Sequence, residues 1–314
     1  MSSAGAFLQE MLVLYGIAFL GFIVRKKNIL NENTNDVLTQ LILYITLPAL
    51  IIFSLDITFS AYIIKDFLWL MSMSIYILVL SCFLAIWMKK RAVLEQKQKN
   101  VYEGLIIFGN QGFIGYAVSF IILGEQGIIY LTIFNFCYLI LIWTYGLFLF
   151  SKSKLTINWK QTFCNSGIFS TFIGIILFLL PFHLPVMVSN LLESVGNMTI
   201  PLSMLLIGSL IAKVNYNELF LLIKNTYLWK MAFVRLLFIP FLLLPFTFLN
   251  VPFSLLIIAI LVSGMPAAPT IILFSQKYKA DTLFASLGVL ITTLLCIFTI
   301  PFLYLLLSII YIHL

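Results

Sequence analysis

Gly109-Asn110-Gln111-Gly112-Phe113-Ile114-Gly115-Tyr116 and Ser263-Gly264-Met265-Pro266-Ala267-Ala268-Pro269-Thr270 each lie inside a long apolar run and put helix breakers into it. The two stretches align at one offset, Gly112 on Pro266 and Gly115 on Pro269. A second pair repeats at nearly the same distance: Ile45-Thr46-Leu47-Pro48-Ala49-Leu50 and Met198-Thr199-Ile200-Pro201-Leu202-Ser203. In a helix interior Gly costs about 1 kcal/mol and Pro about 3. In hydrocarbon, each freed backbone group left unpaired costs several kcal/mol more. Matched breaks therefore persist only where protein, water or a ligand satisfies those groups.

The surroundings of these stretches set the class. Of 314 residues, 62% are hydrophobic and 9% charged, and the mean hydropathy is +1.13. A soluble domain is about 45–50% apolar and about 25% charged. The composition excludes a soluble enzyme, a disordered chain and a secreted disulfide scaffold. It predicts an all-α polytopic membrane protein. Ten stretches reach the length needed to cross a bilayer, at about Phe7–Val24, Val37–Leu55, Phe67–Met88, Gly104–Leu123, Gly127–Phe150, Phe163–Phe182, Ser194–Ala212, Met231–Leu249, Phe253–Gln276 and Thr282–Tyr311.

Charge placement tests that count. Every Lys and Arg except Lys65 falls after spans 1, 3, 5, 7 or 9, from Arg25-Lys26-Lys27 through Lys89-Lys90-Arg91, Lys152, Lys154, Lys160, Lys213, Lys224 and Lys230 to Lys277 and Lys279, with Arg235 just inside span 8. The positive-inside rule then puts those loops in the cytoplasm and both termini outside the cytoplasmic membrane. The net charge of +7 reports this orientation and not a nucleic-acid partner. The first residues lack a basic n-region, so the first span is expected to be retained. Five spans per half divide the chain into residues 1–155 and 156–314, two repeats of opposite orientation. Inverted repeats with paired, interrupted spans are the signature of secondary transporters that bind substrate near the midplane. Cys82, Cys137, Cys164 and Cys296 sit in apolar runs without metal-ligand spacing and read as buried small hydrophobes. No zinc, nucleophile-elbow or nucleotide-loop motif is present, so the chain is read as neither an enzyme nor an ATP-driven pump, with no cofactor. Coupling to protons or sodium stays open.

Gly109 to Gly115 followed by Leu123-Gly124-Glu125-Gln126-Gly127, together with Ser263 to Pro269 followed by Gln276-Lys277-Tyr278 and Asp281, resembles the fourth and ninth spans of the auxin efflux carrier family and its bacterial malate-permease-like members. Leu47-Pro48-Ala49-Leu50 and Ile200-Pro201-Leu202 fit as well, and the resemblance covers the whole chain. It implies an elevator-type carrier with a fold related to bile-acid sodium symporters, in which spans 4 and 9 are broken and cross. Spans 1, 2, 6 and 7 would form a scaffold, and spans 3–5 and 8–10 a mobile transport unit, in a homodimer. The implied substrates are small organic anions, mono- or dicarboxylates. Ala117 stands where the family usually has a proline, so the break in span 4 is expected to rest on Gly112 and Gly115.

Asn110 is the first candidate for substrate contact, the alternative being that its amide caps the broken backbone. Gln111 and Tyr116 flank the same break, and Met265, Pro266 and Pro269 its partner. Thr46, Pro48, Thr199, Pro201 and Ser203 are further candidates, although Ser and Thr hydroxyls often bond back to their own helix. Arg235 is read as a gating or electrostatic residue at the cytoplasmic mouth, or else as a side chain snorkelling to the interface. Glu10, Asn135, Thr292 and Thr293 add isolated polar groups to the spans. The leading expectation is a carrier of a small organic anion. An anion channel or a transporter-like sensor of the same fold is the alternative.

Overall fold

The computed structural model describes residues 4–56, 61–150, 166–179, 183–212, 220 and 224–313. Lys152, Lys154, Lys160, Cys164 and Lys213 lie outside the described residues. Helices account for nearly all of it: α1 (Ala4–Lys26), α2 (Glu32–Leu41), α3 (Leu47–Leu55), α4 (Ala61–Arg91), α5 (Gln96–Ile107), α6 (Tyr116–Leu123), α7 (Glu125–Leu141), α8 (Leu147–Phe150), α9 (Ser166–Leu179), α10 (Val186–Gly196), α11 (Thr199–Ala212), α12 (Thr226–Phe233), α13 (Ile239–Phe241), α14 (Phe253–Ser263), α15 (Thr270–Lys277) and α16 (Thr282–His313). Among the described residues the one β-type contact is an isolated antiparallel bridge between Gly109 and Ala267.

Among the described residues six helices are long and apolar enough to cross a membrane: Glu32–Leu55, Ile64–Arg91, Glu125–Phe150, Val186–Ala212, Thr226–Leu249 and Thr282–Tyr311. Gln111–Leu123, Phe169–Phe178 and Phe253–Ser263 are apolar but shorter. The stretches read as spans 4 and 9 are thus each divided into two shorter helices, α5 with α6 and α14 with α15. The chemistry of the breakers explains several irregular turns. Pro48 and Pro240 have no N–H to donate, and the turns before them widen into π-helix at Ile42–Thr46 and Val234–Phe238. There the Leu47 and Ile239 N–H groups reach back five residues, to the carbonyls of Ile42 and Val234. Gly124 links α6 to α7 at φ +60° and ψ −138°, a conformation closed to side-chain-bearing residues.

The chain folds as two units, each drawing on both halves of the sequence. The first takes the described parts of Met1–Leu68, Gly112–Phe136 and Trp159–Val214. In it α1 and α11 touch backbone to backbone, since a Cβ on Gly208 would lie 1.7 Å from the Ala18 carbonyl oxygen. Helices α9 and α10 pack against α3, and Ser209 Oγ donates to Asn35 Oδ1 at 2.8 Å. The second unit takes the described parts of Trp69–Gln111, Cys137–Asn158 and Asn215–Leu314. Its core is α14, buried from Leu255 to Val262, with α13 and α16 packed against it, while α5 and α12 pack on α16. Tyr102 meets Tyr227 edge-on at 6.1 Å, and Trp143 meets Phe274 at 5.9 Å.

Candidate functional site

Within the second unit the two interrupted helices meet at their breaks. Helix α5 ends at Ile107, and Phe108 turns extended at φ −97° and ψ 114°. The chain from Gly264 to Pro269 is likewise non-helical between α14 and α15. These segments pair antiparallel: the Asn110 N–H donates to the Pro266 carbonyl at 2.6 Å, and the Ala268 N–H donates to the Phe108 carbonyl at 2.9 Å. Side chains from neighbouring helices take the remaining groups. Tyr138 Oη donates to the Gly109 carbonyl at 2.6 Å, with its ring edge-on to Phe108 at 6.0 Å. Thr292 Oγ1 accepts the Ala267 N–H at 3.0 Å while donating to the Gly288 carbonyl at 2.8 Å. The backbone freed by the two breaks is thus largely consumed by the protein itself, as a low-dielectric site requires.

Arg235 completes the junction. Its Nε donates to the Met265 carbonyl at 2.9 Å, and its Nη1 to the carbonyls of Ile107 at 3.1 Å and Ile106 at 3.3 Å. Those oxygens close the C-terminal ends of α5 and α14, where unpaired carbonyls and the helix dipole favour a cation. Only 2% of the residue is exposed. Its Nη2 has no hydrogen-bond partner among the described residues. The guanidinium lies so close to Gly109 that a Cβ there would fall 1.9 Å from Nη2. Among the described residues ion pairs join Arg25 to Glu32 and Lys89 to Glu103, His183 Nδ1 lies 3.3 Å from Asp56 Oδ1, and no carboxylate pairs with Arg235. The arginine therefore does not snorkel: the widened turn Val234–Phe238 carries it into the interior of the unit.

Asn110, Gln111, Met265, Pro266, Pro269 and Arg235 are thereby brought together in one unit. Asn110 and Gln111 are buried, and Gln111 Oε1 lacks a partner among the described residues. The unwinding falls at Phe108, Gly109 and Asn110, and not at Gly112 and Gly115, which belong to the π-helical turn Gln111–Gly115. The physical reason is the arginine, which needs a residue without a side chain at position 109. Ala117 is accommodated inside α6. The other candidates belong to the first unit. Thr46 and Thr199 are buried with unpartnered Oγ1 atoms, Ser203 Oγ donates to the Thr199 carbonyl at 2.6 Å, and Pro48 and Pro201 stand in the first turns of α3 and α11. Tyr116 Oη bonds Thr132 Oγ1 at 3.1 Å.

Three residues carry structure that the sequence reading passed over. Tyr138 looks like any aromatic in an apolar run. Glu103, in α5, accepts from Lys89 Nζ at 2.6 Å and from the Tyr145 hydroxyl, and Lys89 also donates to Asn100 Oδ1 at 2.8 Å. Asp66 accepts from Tyr130 Oη at 3.0 Å, whose oxygen takes a bond from Gln126 Nε2 at 2.6 Å. An apolar groove of about 330 Å³, lined by residues such as Ile75, Val79, Cys82, Phe83 and Cys137, lies in the second unit and offers no charge to a ligand.

A family model described as membrane transport protein matches residues 6–304. The chain belongs to this family of auxin efflux carriers and membrane transport proteins. Membrane transport proteins are a transporter family and not an enzyme class. The assignment and the apolar helices together make the chain a multi-pass membrane transporter. A comparison with curated proteins finds no match.

Proposed function

We propose that the chain is a secondary carrier that moves a small organic anion, bound as its carboxylate, across the cytoplasmic membrane by alternating access. The observation that carries this reading is a guanidinium buried beside two helix breaks with no carboxylate paired to it. A buried charge without a counter-ion is costly, and an anionic ligand supplies one. The half-helix α15, which begins at Thr270 in the same unit, turns the positive end of its dipole toward the junction. Asn110 and Gln111 add neutral polar groups, with Met265, Pro266 and Pro269 shaping the opposite wall. Gly112, Gly115 and Tyr116 continue the fourth span, and Thr46, Pro48, Thr199, Pro201 and Ser203 line the scaffold.

In this reading ten spans form two inverted repeats. Spans 3–5 with 8–10 move as an elevator against a scaffold of spans 1, 2, 6 and 7, in a homodimer. The test is counterflow in proteoliposomes. Vesicles loaded with an unlabelled carboxylate should transiently accumulate the same compound in labelled form, with saturation. Arg235→Met and Asn110→Ala should each abolish the accumulation while leaving a monodisperse protein. Non-saturable flux without counterflow points to the channel, and full counterflow in both variants overturns the junction as the binding site.

A further inference from the structure

We propose that Arg235 Nη2 is a direct ligand of the carried carboxylate and that the junction accepts one negative charge, selecting monoanions over dianions. This rests on the organic-anion reading above and adds to it the charge of the substrate.

The charges around the junction set its capacity. Two helices, α5 and α14, end there, each bringing about half a negative charge at its C-terminus. One helix of the same unit, α15, begins there and brings about half a positive charge at its N-terminus. These helix ends supply no net positive charge, so the one full positive charge at the junction among the described residues is Arg235. Two acids of the same unit that could have paired with Arg235 are held elsewhere: Glu103 by Lys89, and Asp281 by Gln98 Nε2 at 2.9 Å.

The arginine's hydrogen bonds point the same way. Its Nε and Nη1 are spent on three carbonyls. Nη2 remains, in a residue 98% buried by its 2% exposure, against the bare Cα of Gly109. One guanidinium nitrogen meets one carboxylate oxygen there. A second carboxylate charge on the same molecule finds no cation among the described residues of the junction. Leaving a charge buried and unpaired is strongly unfavourable.

The test uses the purified full chain and matched acids that differ by one charge: succinate against succinamate, fumarate against monomethyl fumarate, and phthalate against benzoate. Affinity is read from the thermal shift at increasing ligand, since binding to the native state stabilises by mass action. The monoanion of at least one pair should bind about tenfold or more tightly than its dianion. Lowering the pH until the dicarboxylate keeps one proton should narrow that gap. Arg235→Lys should lose the binding, because lysine has no planar fork to span three carbonyls and still present a donor. Because the charge comparison is made in the wild-type protein, it stands even where that variant fails to fold. Equal or tighter binding of the dianions overturns the one-charge proposal while leaving an anion carrier in place. Silence from every pair, with an intact melting transition, overturns the organic-anion reading beneath it.

Discussion

Gly109, Arg235 and Thr292 are interdependent, and each yields a distinct expectation. In Gly109→Ala a methyl group lands 1.9 Å from Nη2, and the guanidinium cannot step aside without giving up its carbonyl bonds. The variant should melt at lower temperature, by the equivalent of about 1–3 kcal/mol for overpacking, and should lose counterflow while keeping its arginine. Thr292→Val leaves the Ala267 N–H without its acceptor, at a cost of about 1–3 kcal/mol. Thr292→Ser should recover most of that loss in a detergent melting curve. How much of this could be read in advance follows from the range of the interactions. The Gly and Pro pairs announced the breaks because conformational cost is a local property. Arg235 lies about one turn past Lys230 in sequence, which read as an interfacial position, because its partners at Ile106, Ile107 and Met265 are remote in the chain and are backbone atoms that no side-chain pattern displays. The same arginine moved the unwinding from Gly112 to Gly109.

At the scale of elements, helices announced themselves through apolar length, and their ends did so less well. The acid that stabilises α5 against α4 sits one residue before the stretch read as span 4, and so counted as a loop residue. Glu103 is nevertheless buried, and its bonds from Lys89 and Tyr145, with the further bond from Lys89 to Asn100, tie together α4, α5 and the turn Ile142–Gly146. Removing the carboxylate in Glu103→Gln should destabilise by about 1–3 kcal/mol. This is less than for a fully buried pair, because Lys89 keeps 24% of its side-chain surface. Lys89→Met in that background should cost less than Lys89→Met alone, and a double-mutant cycle of melting temperatures measures the coupling. Gly124→Ala forces a side chain into φ +60° and ψ −138° and should cost more than about 1 kcal/mol without altering the junction.

For the whole molecule, the sequence predicts an orientation that follows from charge placement alone. Cysteines introduced singly at Val93, in the basic segment after α4, and at Met187, at the start of α10, are both strongly exposed at 88% and 85%. In a background without native cysteines, an impermeant maleimide added to intact cells should label Met187→Cys and spare Val93→Cys until the membrane is opened. The reverse pattern would invert the assignment of both termini. The two units cut across the halves of the sequence: the chain passes from one to the other beside the break at Gln111 and also within the unbroken helices α4 and α7.

Arg235 is gripped by main-chain oxygens alone, and this bears on how such a carrier diversifies. Substituting the residues around it changes shape, bulk and polarity but removes none of the atoms that seat the cation. On the carrier reading proposed above, the charge sensor is thereby insulated from drift in the lining: exchanging wall residues would change the shape of the cargo accepted and leave the fixed positive point where it is.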